Sequence, residues 1–387
     1  MLEYQGAATS CKVFTDSIEA EAVQQIYGFL NCPAFEGSQI RIMPDVHAGA
    51  GAVIGFTANL TDKVIPNVIG VDLGCGVLAY RLENPIMYFQ QFDKYLRANV
   101  PSGFSLRETE YPGIKPLFLT HFGGPHGIRA AEWETFQKDV NTLAVKIGAE
   151  TGKVWRALGT LGGGNHFIEV DRDEEGRHLW LVIHSGSRNF GLRVATYHQK
   201  KAEARMGPRG GLAWLEGEEA QEYLQDMRLA QTYAKLNRLI MLEALVGLVT
   251  YSHDTVVESV HNFIGDDNVI RKGAISAKAG ERVIIPWNMR DGLVLGVGKG
   301  NSDWNNSAPH GAGRKMGRGA AKRTLSLEDF EQTMKDAGVW SSCIGKETLD
   351  EAPAAYKDCG EVEACLGDTV EVTARLKPVY NFKAGKE

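Results

Sequence analysis

Apolar and polar positions alternate in short runs along much of the chain. QIRIM at 39–43, AVIGFTANL at 52–60 and VLAYRL at 77–82 predict strands. A stretch opened by Asp16-Ser17 carries apolar residues at helical spacing to about Leu30, so a helix capped by Asp or Ser is expected there. Residues 129–150 predict a second helix. FIEV at 167–170 and LWLVI at 179–183 flank an acidic, glycine-containing turn and predict a hairpin. From 214 to 263, Leu, Met, Ala and Tyr recur every three or four residues, which predicts one long, mostly helical segment with His261 near its C-terminal end. VIIP at 283–286 and LVLGV at 293–297 predict further strands. Ser326-Leu-Glu-Asp has the form of a capping box opening a helix over 326–337, and a last strand is expected at 369–375. Strands and helices mix without a βαβ rhythm, which favours an α+β fold.

At 387 residues the chain has room for two ordinary domains or one large one. No linker and no repeat divides it, and one domain spanning 1–387 is expected. Hydrophobic residues at 43% and charged residues at 23% fit an ordinary globule. The absence of a long apolar run argues against a membrane-spanning helix. The start, MLEYQGAATSCKVF, lacks a basic segment followed by an apolar one, and six scattered cysteines form no CxxC pair. A reducing cytosol is the expected compartment. A net charge of −6 argues against a histone-like nucleic-acid binder but leaves room for a local basic cleft. Three weak motifs carry nothing. DRDEEG at 171–176 imitates a calcium loop, but its twelfth position is Val182. GVGKG at 296–300 lacks the spacing of a nucleotide loop, and Lys357-Asp358-Cys359-Gly360 only loosely imitates a ligase lysine motif.

Glycine is over-represented, with 44 residues and no collagen-like period. Five segments place it directly beside Asp, Cys or His: MPDVHAGAGAVIG (43–55), IGVDLGCGV (69–77), LGTLGGGNHFIEV (158–170), VIHSGSRNFG (182–191) and APHGAGRKMGR (308–318). A core histidine has no need of such neighbours, whereas backbone that closely approaches a ligand does. Five sites of this kind predict one shared polar cleft. Asp72 and Cys75, three residues apart, can face one point from a tight turn. With His166, His184 and His261 they exceed the usual ligand number of one catalytic zinc and suffice for two metals if one ligand is shared. Mixed O, N and S donors tolerate Mn²⁺ or Zn²⁺. Arg314, Lys315, Arg318, Lys322 and Arg323 follow His310-Gly311-Ala312-Gly313 with no intervening acid, and Arg188 sits in HSGSR. Both features suit phosphate. An imidazole is largely neutral at pH 7 and can attack an α-phosphate. His310 is the candidate nucleophile because it lies in the phosphate segment, outside the metal set. Asp45 in MPDVH is either a group that holds a ligand or the nucleotide in place, or a turn aspartate.

These segments resemble the RtcB RNA ligases over nearly the whole chain, from MPDVH at 43–47 to NFKAG at 381–385. VDLGCG, GTLGGGNHFIEV, HSGSR and HGAGR occur in order at family-like separations. The resemblance implies a cytoplasmic 3′-phosphate/5′-hydroxyl RNA ligase using GTP and two Mn²⁺ ions. Asp72, Cys75, His166, His184 and His261 match the manganese ligands, with Cys75 bridging, and His310 matches the guanylylated histidine. The implied nucleotide pocket comprises Asn165, His166, Phe167, Ile168, Glu169, His261, Asn262, Pro286, Trp287, Asn288, Met289, His310, Gly311, Ala312, Gly313 and Lys383. Arg188, Arg314 and Arg318 match arginines that meet RNA phosphates or transition-state charge. By the same analogy the enzyme is a monomer of a divergent bacterial branch, some members of which are encoded beside a release-factor-like protein, and it repairs broken RNA or splices tRNA. The sequence departs from the family at the guanine-side loop, which reads Pro286-Trp287-Asn288-Met289-Arg290 instead of PGSMG; Trp287 would crowd the base or stack on it. Two other classes fit parts of the pattern: a dinuclear metallo-phosphohydrolase acting on RNA ends, and an RNA-binding protein with structural metals.

Overall fold

A computed structural model describes residues 1–83, 88–122, 129–247 and 255–384. Two mixed-order sheets dominate. The six-stranded sheet runs Leu2–Gln5, Ser10–Val13, Ile40–His47, Ile54–Asn59, Val269–Lys272 and Asn262–Ile264. Its strands are antiparallel except where Ser10–Val13 lies parallel to Ile40–His47. The seven-stranded sheet is antiparallel throughout, in the order Val256–Val260, Gly76–Arg81, Leu179–Ser185, Phe167–Asp173, Val370–Lys383, Leu293–Gly298 and Arg282–Pro286. The architecture is α+β, as the interspersed pattern predicts. Among the described residues no helix is long and apolar enough to cross a membrane.

The hairpin forms in the expected place, with Phe167 opposite His184 and the acidic turn at its far end. Ser326 caps its helix through a hydroxyl that accepts the Asp329 N–H, as the capping signal predicts. Other expectations shift. The first helix is Ala20–Leu30 behind an extended Glu19, so Asp16 and Ser17 do not cap it. The second, Arg129–Lys146, is followed by a separate short helix, Thr151–Arg156, after a turn through Gly148 at φ +66°. The last strand runs on to Lys383. Helices Phe89–Asn99 and Arg188–Met206 were not legible, since polar residues interrupt their apolar spacing.

The largest departure concerns the long helical segment. The helix is Gly217–Val246, and residues 248–254 lie outside the described set. The expected helical end is two strands instead. Val256–Val260 is an edge of the seven-stranded sheet and Asn262–Ile264 an edge of the six-stranded one, with His261 at the step between them. The alternation of half-buried and buried positions through 256–260 is a strand pattern that the helical spacing upstream obscures.

Helix Gly217–Val246 packs its apolar face on the sheet and carries two buried polar residues with a positioning role. Asn237 accepts the Gly159 N–H at 2.7 Å and donates to the Gly186 carbonyl at 3.1 Å. Arg238, fully buried, donates to the carbonyls of Gly74 (2.9 Å) and Ser185 (2.7 Å) and pairs with Glu258 at 2.8 Å. A guanidinium with all these partners is stable inside a protein, where an unpaired one is not. One helix turn thereby fixes three of the glycine-flanked segments relative to one another.

Candidate active site

The five proposed ligands converge. Cys75 opens onto strand Gly76–Arg81, which pairs with the strand ending at His184 and Ser185; His166 immediately precedes Phe167, the residue opposite His184; His261 follows the neighbouring edge strand. All therefore lie at the same end of adjacent strands. Asp72 and Cys75 sit in one tight turn, closed by Cys75 N–H to the Asp72 carbonyl at 3.1 Å. Two donor groups result, Asp72–Cys75–His166 and Cys75–His184–His261, each with its ligand atoms within 4.8 Å of one another. Cys75 belongs to both.

The hydrogen-bond pattern tests whether these residues suit a cation. His166 Nδ1 faces the Leu161 carbonyl at 2.9 Å and His184 Nδ1 faces the Asn165 carbonyl at 3.1 Å. A carbonyl can only accept, so both Nδ1 atoms carry hydrogen and both Nε2 atoms of the neutral rings are bare. These bare atoms point at other acceptors. His166 Nε2 is 2.9 Å from Asp72 Oδ2 and 3.4 Å from Cys75 Sγ; His184 Nε2 is 3.3 Å from Cys75 Sγ and 3.3 Å from His261 Nε2. Lone pairs gathered this closely repel unless a positive charge lies among them. The separations suit donors sharing a first-row divalent ion, whose bonds to such atoms run about 2.0–2.3 Å. The residues fit a metal. Burial and neighbouring imidazoles hold His184 and His261 well below the usual histidine range, ready to ligate as neutral rings. Burial and the Asp72 carboxylate push the Cys75 thiol up, an effect that a bound cation reverses. Burial acts to raise the Asp72 carboxyl, but with no cation bound the facing His166 ring, wherever it carries a proton on Nε2, and the Arg188 charge hold it well below the usual carboxylate range.

His310 stands beside this cluster and outside it. Its ring centroid is 4.9 Å from that of His261. Asp45, fully buried, receives both the His310 backbone N–H (3.2 Å) and Nδ1 (2.7 Å) on Oδ2. Asp45 is therefore neither a ligand of the cluster nor a mere turn residue; it holds the candidate nucleophile. Gly313, at φ +73°, packs against the Asp45 backbone so closely that a Cβ there would strike its carbonyl. The required glycine of HGAG is thus explained by contact with MPDVH.

A cleft of about 620 Å³ opens over His310. Of the proposed nucleotide residues, Asn165, Phe167, Glu169, His261, Pro286, Trp287, Asn288, Met289, His310, Gly311, Ala312, Gly313 and Lys383 line it, as do Arg314 and Arg318. Three do not. Ile168 alternates to the opposite face of its strand and is buried in the core there. Asn262 lies behind the cleft, donating to the Asp72 carbonyl at 3.3 Å and accepting the Gly273 N–H at 3.1 Å. His166 is turned to the metal cluster. Trp287 is almost wholly buried within an apolar cluster that includes Ile275, Ile285 and Val362, so it is largely a core side chain whose edge meets the cleft. Asn288 is occupied within its own turn, donating to Asp291 at 2.7 Å.

Arg188 does not line the cleft. It adopts a left-handed backbone conformation, φ 57°, at the start of its helix, and donates to Thr160 Oγ1 at 3.2 Å and the Gly103 carbonyl at 3.0 Å. It lies on the Asp72 side of the cluster, where its charge helps hold that carboxyl down. Gly162, at φ +84°, leaves room for its guanidinium, which a Cβ would strike.

Two cleft features escaped the sequence reading. Glu351, buried, receives Lys383 Nζ at 2.7 Å, Arg318 at 2.6 Å, Arg314 at 3.3 Å and the Tyr356 hydroxyl at 2.7 Å. Despite burial, these cations pull its carboxyl down to about 2. The basic run is therefore anchored, and nothing in LDEAP announces that. Glu169 shows the opposite effect. Burial pushes it up to about 7 against the pull of Lys383 and a hydrogen bond from Asn381.

The family described as tRNA-splicing ligase RtcB matches residues 25–384. The chain is 33% identical over 403 residues to the "RNA-splicing ligase RtcB" of Escherichia coli strain K12, covering 95% of each chain. It is 27% identical over 391 residues to "RNA-splicing ligase RtcB2" of Escherichia coli strain ATCC 25922, covering 95% of this chain and 93% of that one. It is 28% identical over 424 residues to "tRNA-splicing ligase RtcB" of Aeropyrum pernix, covering 87% and 86%. The chain, matched almost from end to end and carrying a largely buried Asp–Cys–His₃ cluster beside an aspartate-held histidine, belongs to the RtcB family.

Proposed function

We propose that this chain joins an RNA 3′-phosphate end, or a 2′,3′-cyclic phosphate after its opening, to a 5′-hydroxyl end, using GTP and two Mn²⁺ ions in one catalytic domain. The observation that carries this reading is the Asp45–His310 pair facing a polar cleft next to the metal cluster. A carboxylate accepts only, so His310 Nδ1 carries the hydrogen and Nε2 is the bare, attacking atom. Nε2 attacks the α-phosphorus of GTP; a P–N bond forms, the bond to the β-phosphate oxygen breaks, and pyrophosphate leaves. The RNA 3′-phosphate oxygen then displaces His310 from that phosphorus. Finally the 5′-hydroxyl attacks the 3′-phosphorus, loses its proton and expels GMP. When bound, the metal ions supply Lewis-acid stabilisation of charge on the phosphoryl oxygens.

Asp72, Cys75 and His166 would hold one ion and Cys75, His184 and His261 the other, with Cys75 common to both donor groups. Arg314 and Arg318, tethered by Glu351, keep guanidinium charge at the cleft. Glu169 and Lys383 offer a polar edge suited to a guanine base. All of these residues come from one chain, so the site needs no residue from a second copy to complete it. The names of the relatives support RNA as the substrate. The test is a joining assay with a 3′-phosphate strand and a 5′-hydroxyl strand plus GTP and Mn²⁺. The native chain joins them and His310→Ala does not; a phosphohydrolase would trim the phosphate in both and join in neither.

A further inference from the structure

Phe104 is 79% exposed, the most solvent-exposed of the large apolar side chains among the described residues. Its loop is not loose. Gly103 N–H donates to the Gly162 carbonyl at 3.0 Å, Leu161 N–H to the Pro101 carbonyl at 2.9 Å, and Ser105 N–H to the Ser102 carbonyl at 3.2 Å. The Gly103 carbonyl in turn accepts from Arg188. The loop is thus fastened to the glycine-rich segment a few residues before Asn165 and His166, and to the arginine on the Asp72 side of the cluster.

Two more exposed apolar side chains adjoin, along the chain, residues on the Asp72 side of the cluster. Val71, 47% exposed, precedes Asp72, whose Oδ1 accepts the Ser187 N–H at 3.0 Å. Leu192, 40% exposed, lies one helical turn beyond Arg188. Single exposed apolar residues are commonplace on protein surfaces. A ring carried on a loop whose backbone is tied both to the segment leading into His166 and to the arginine beside Asp72 is a different arrangement. A phosphate held at the cluster keeps its nucleoside attached, and an unpaired base presents a flat apolar face to whatever borders the site. Base stacking on an aromatic ring tolerates any sequence and works beside cationic groups that hold the backbone.

We propose that Phe104 is a stacking platform for an unpaired nucleobase at the RNA end being processed. The proposal rests on the RNA-ligase reading above and concerns which surface carries the nucleic acid beyond the reacting phosphate. Inside a double helix each base face is covered by its neighbours, so only a terminal or unpaired base can meet the platform.

The test measures binding of a short single strand bearing a 3′-phosphate and 2-aminopurine as its last base, with Mn²⁺ present. Stacking quenches the fluorophore. Phe104→Leu, apolar but not flat, is expected to lose the quench and weaken binding about 5- to 160-fold, the span of one base–aromatic stack. Phe104→Tyr restores both. Val145→Ser, which removes a comparably exposed apolar side chain on helix Arg129–Lys146, changes neither. Replacing the terminal nucleotide by an abasic one weakens the native chain and adds nothing to Phe104→Leu. Equal quench and affinity in the native chain and Phe104→Leu would overturn the proposal. The ligase reading fails separately, if the native chain binds the strand yet never joins it to a 5′-hydroxyl partner.

Discussion

Asp45 Oδ2 lies 2.7 Å from His310 Nδ1, and its other carboxylate oxygen is buried without a hydrogen-bond partner among the described residues. One residue thus fixes both the tautomer and the aim of the candidate nucleophile. Asp45→Ala removes the acceptor and lets the ring rotate or change tautomer. Labelling of His310 by α-phosphate-labelled GTP is expected to slow by about 10²-fold or more, by analogy with the loss of an orienting carboxylate in other histidine mechanisms. Single-turnover labelling rates, with circular dichroism as the check on folding, measure this. An unchanged rate would mean that the pair is structural.

The shared thiolate makes a stoichiometric prediction. Because Cys75 contributes to both donor groups, Cys75→Ala should lose both metal equivalents. His261→Ala should lose chiefly the one and His166→Ala chiefly the other. Elemental analysis after exhaustive dialysis against limiting Mn²⁺ gives the counts. Adding Mn²⁺ should raise the melting temperature of the native chain by mass action and leave that of Cys75→Ala nearly unmoved.

The Glu169 carboxyl, raised by burial to about 7, sets a pH dependence with a definite sign. Between its unfolded value near 4.5 and about 7, the folded state holds the proton more tightly than the unfolded one. Stability from this group is therefore present at low pH and is lost as pH rises through that window. His184 and His261, held low, act in the opposite direction, so the comparison must be between variants. Glu169→Gln can still accept from Asn381 and cannot ionise. Its urea midpoint, measured without nucleotide, should gain on that of the native chain progressively from pH 5 to pH 8. A constant difference across that range would contradict the assignment.

Trp287 replaces a small residue of the family pattern, yet it fills the core beside Ile285 and Val362. Trp287→Gly should cost about 3–5 kcal/mol of stability, the usual range for emptying a large aromatic site. Denaturant unfolding in chelator measures that loss apart from nucleotide binding. A loss of GTP labelling at full stability would instead make Trp287 a base-stacking residue.

Asp72, Cys75, His166, His184 and His310 were legible as candidates because each sits in a short glycine-flanked segment, and such segments exist where backbone must come close to something; His261 has no such flank. Their convergence was not legible: Asp72 and His166 are 94 positions apart, and only sheet order brings them together. His261 was placed on a helix because apolar residues at helical spacing run almost up to it; the step from one sheet to the other at that residue has no local signature. Asn237 and Arg238 read as ordinary polar interruptions of a helix. Their burial, and hence their hold on the ligand loops, depends on a sheet formed by distant strands. Glu351 was missed for the same reason, since its partners Lys383, Arg314 and Arg318 meet it only in the folded chain.

The central claim is that His310 and the metal cluster face one phosphorus atom. Intact mass spectrometry of the purified chain after incubation with GTP and Mn²⁺ tests it most directly. The account predicts a gain of one guanylyl group, mapped to His310, abolished by His310→Ala and by Cys75→Ala. A chain that binds both metals and GTP yet gains no mass, or gains it at another residue, would contradict the account.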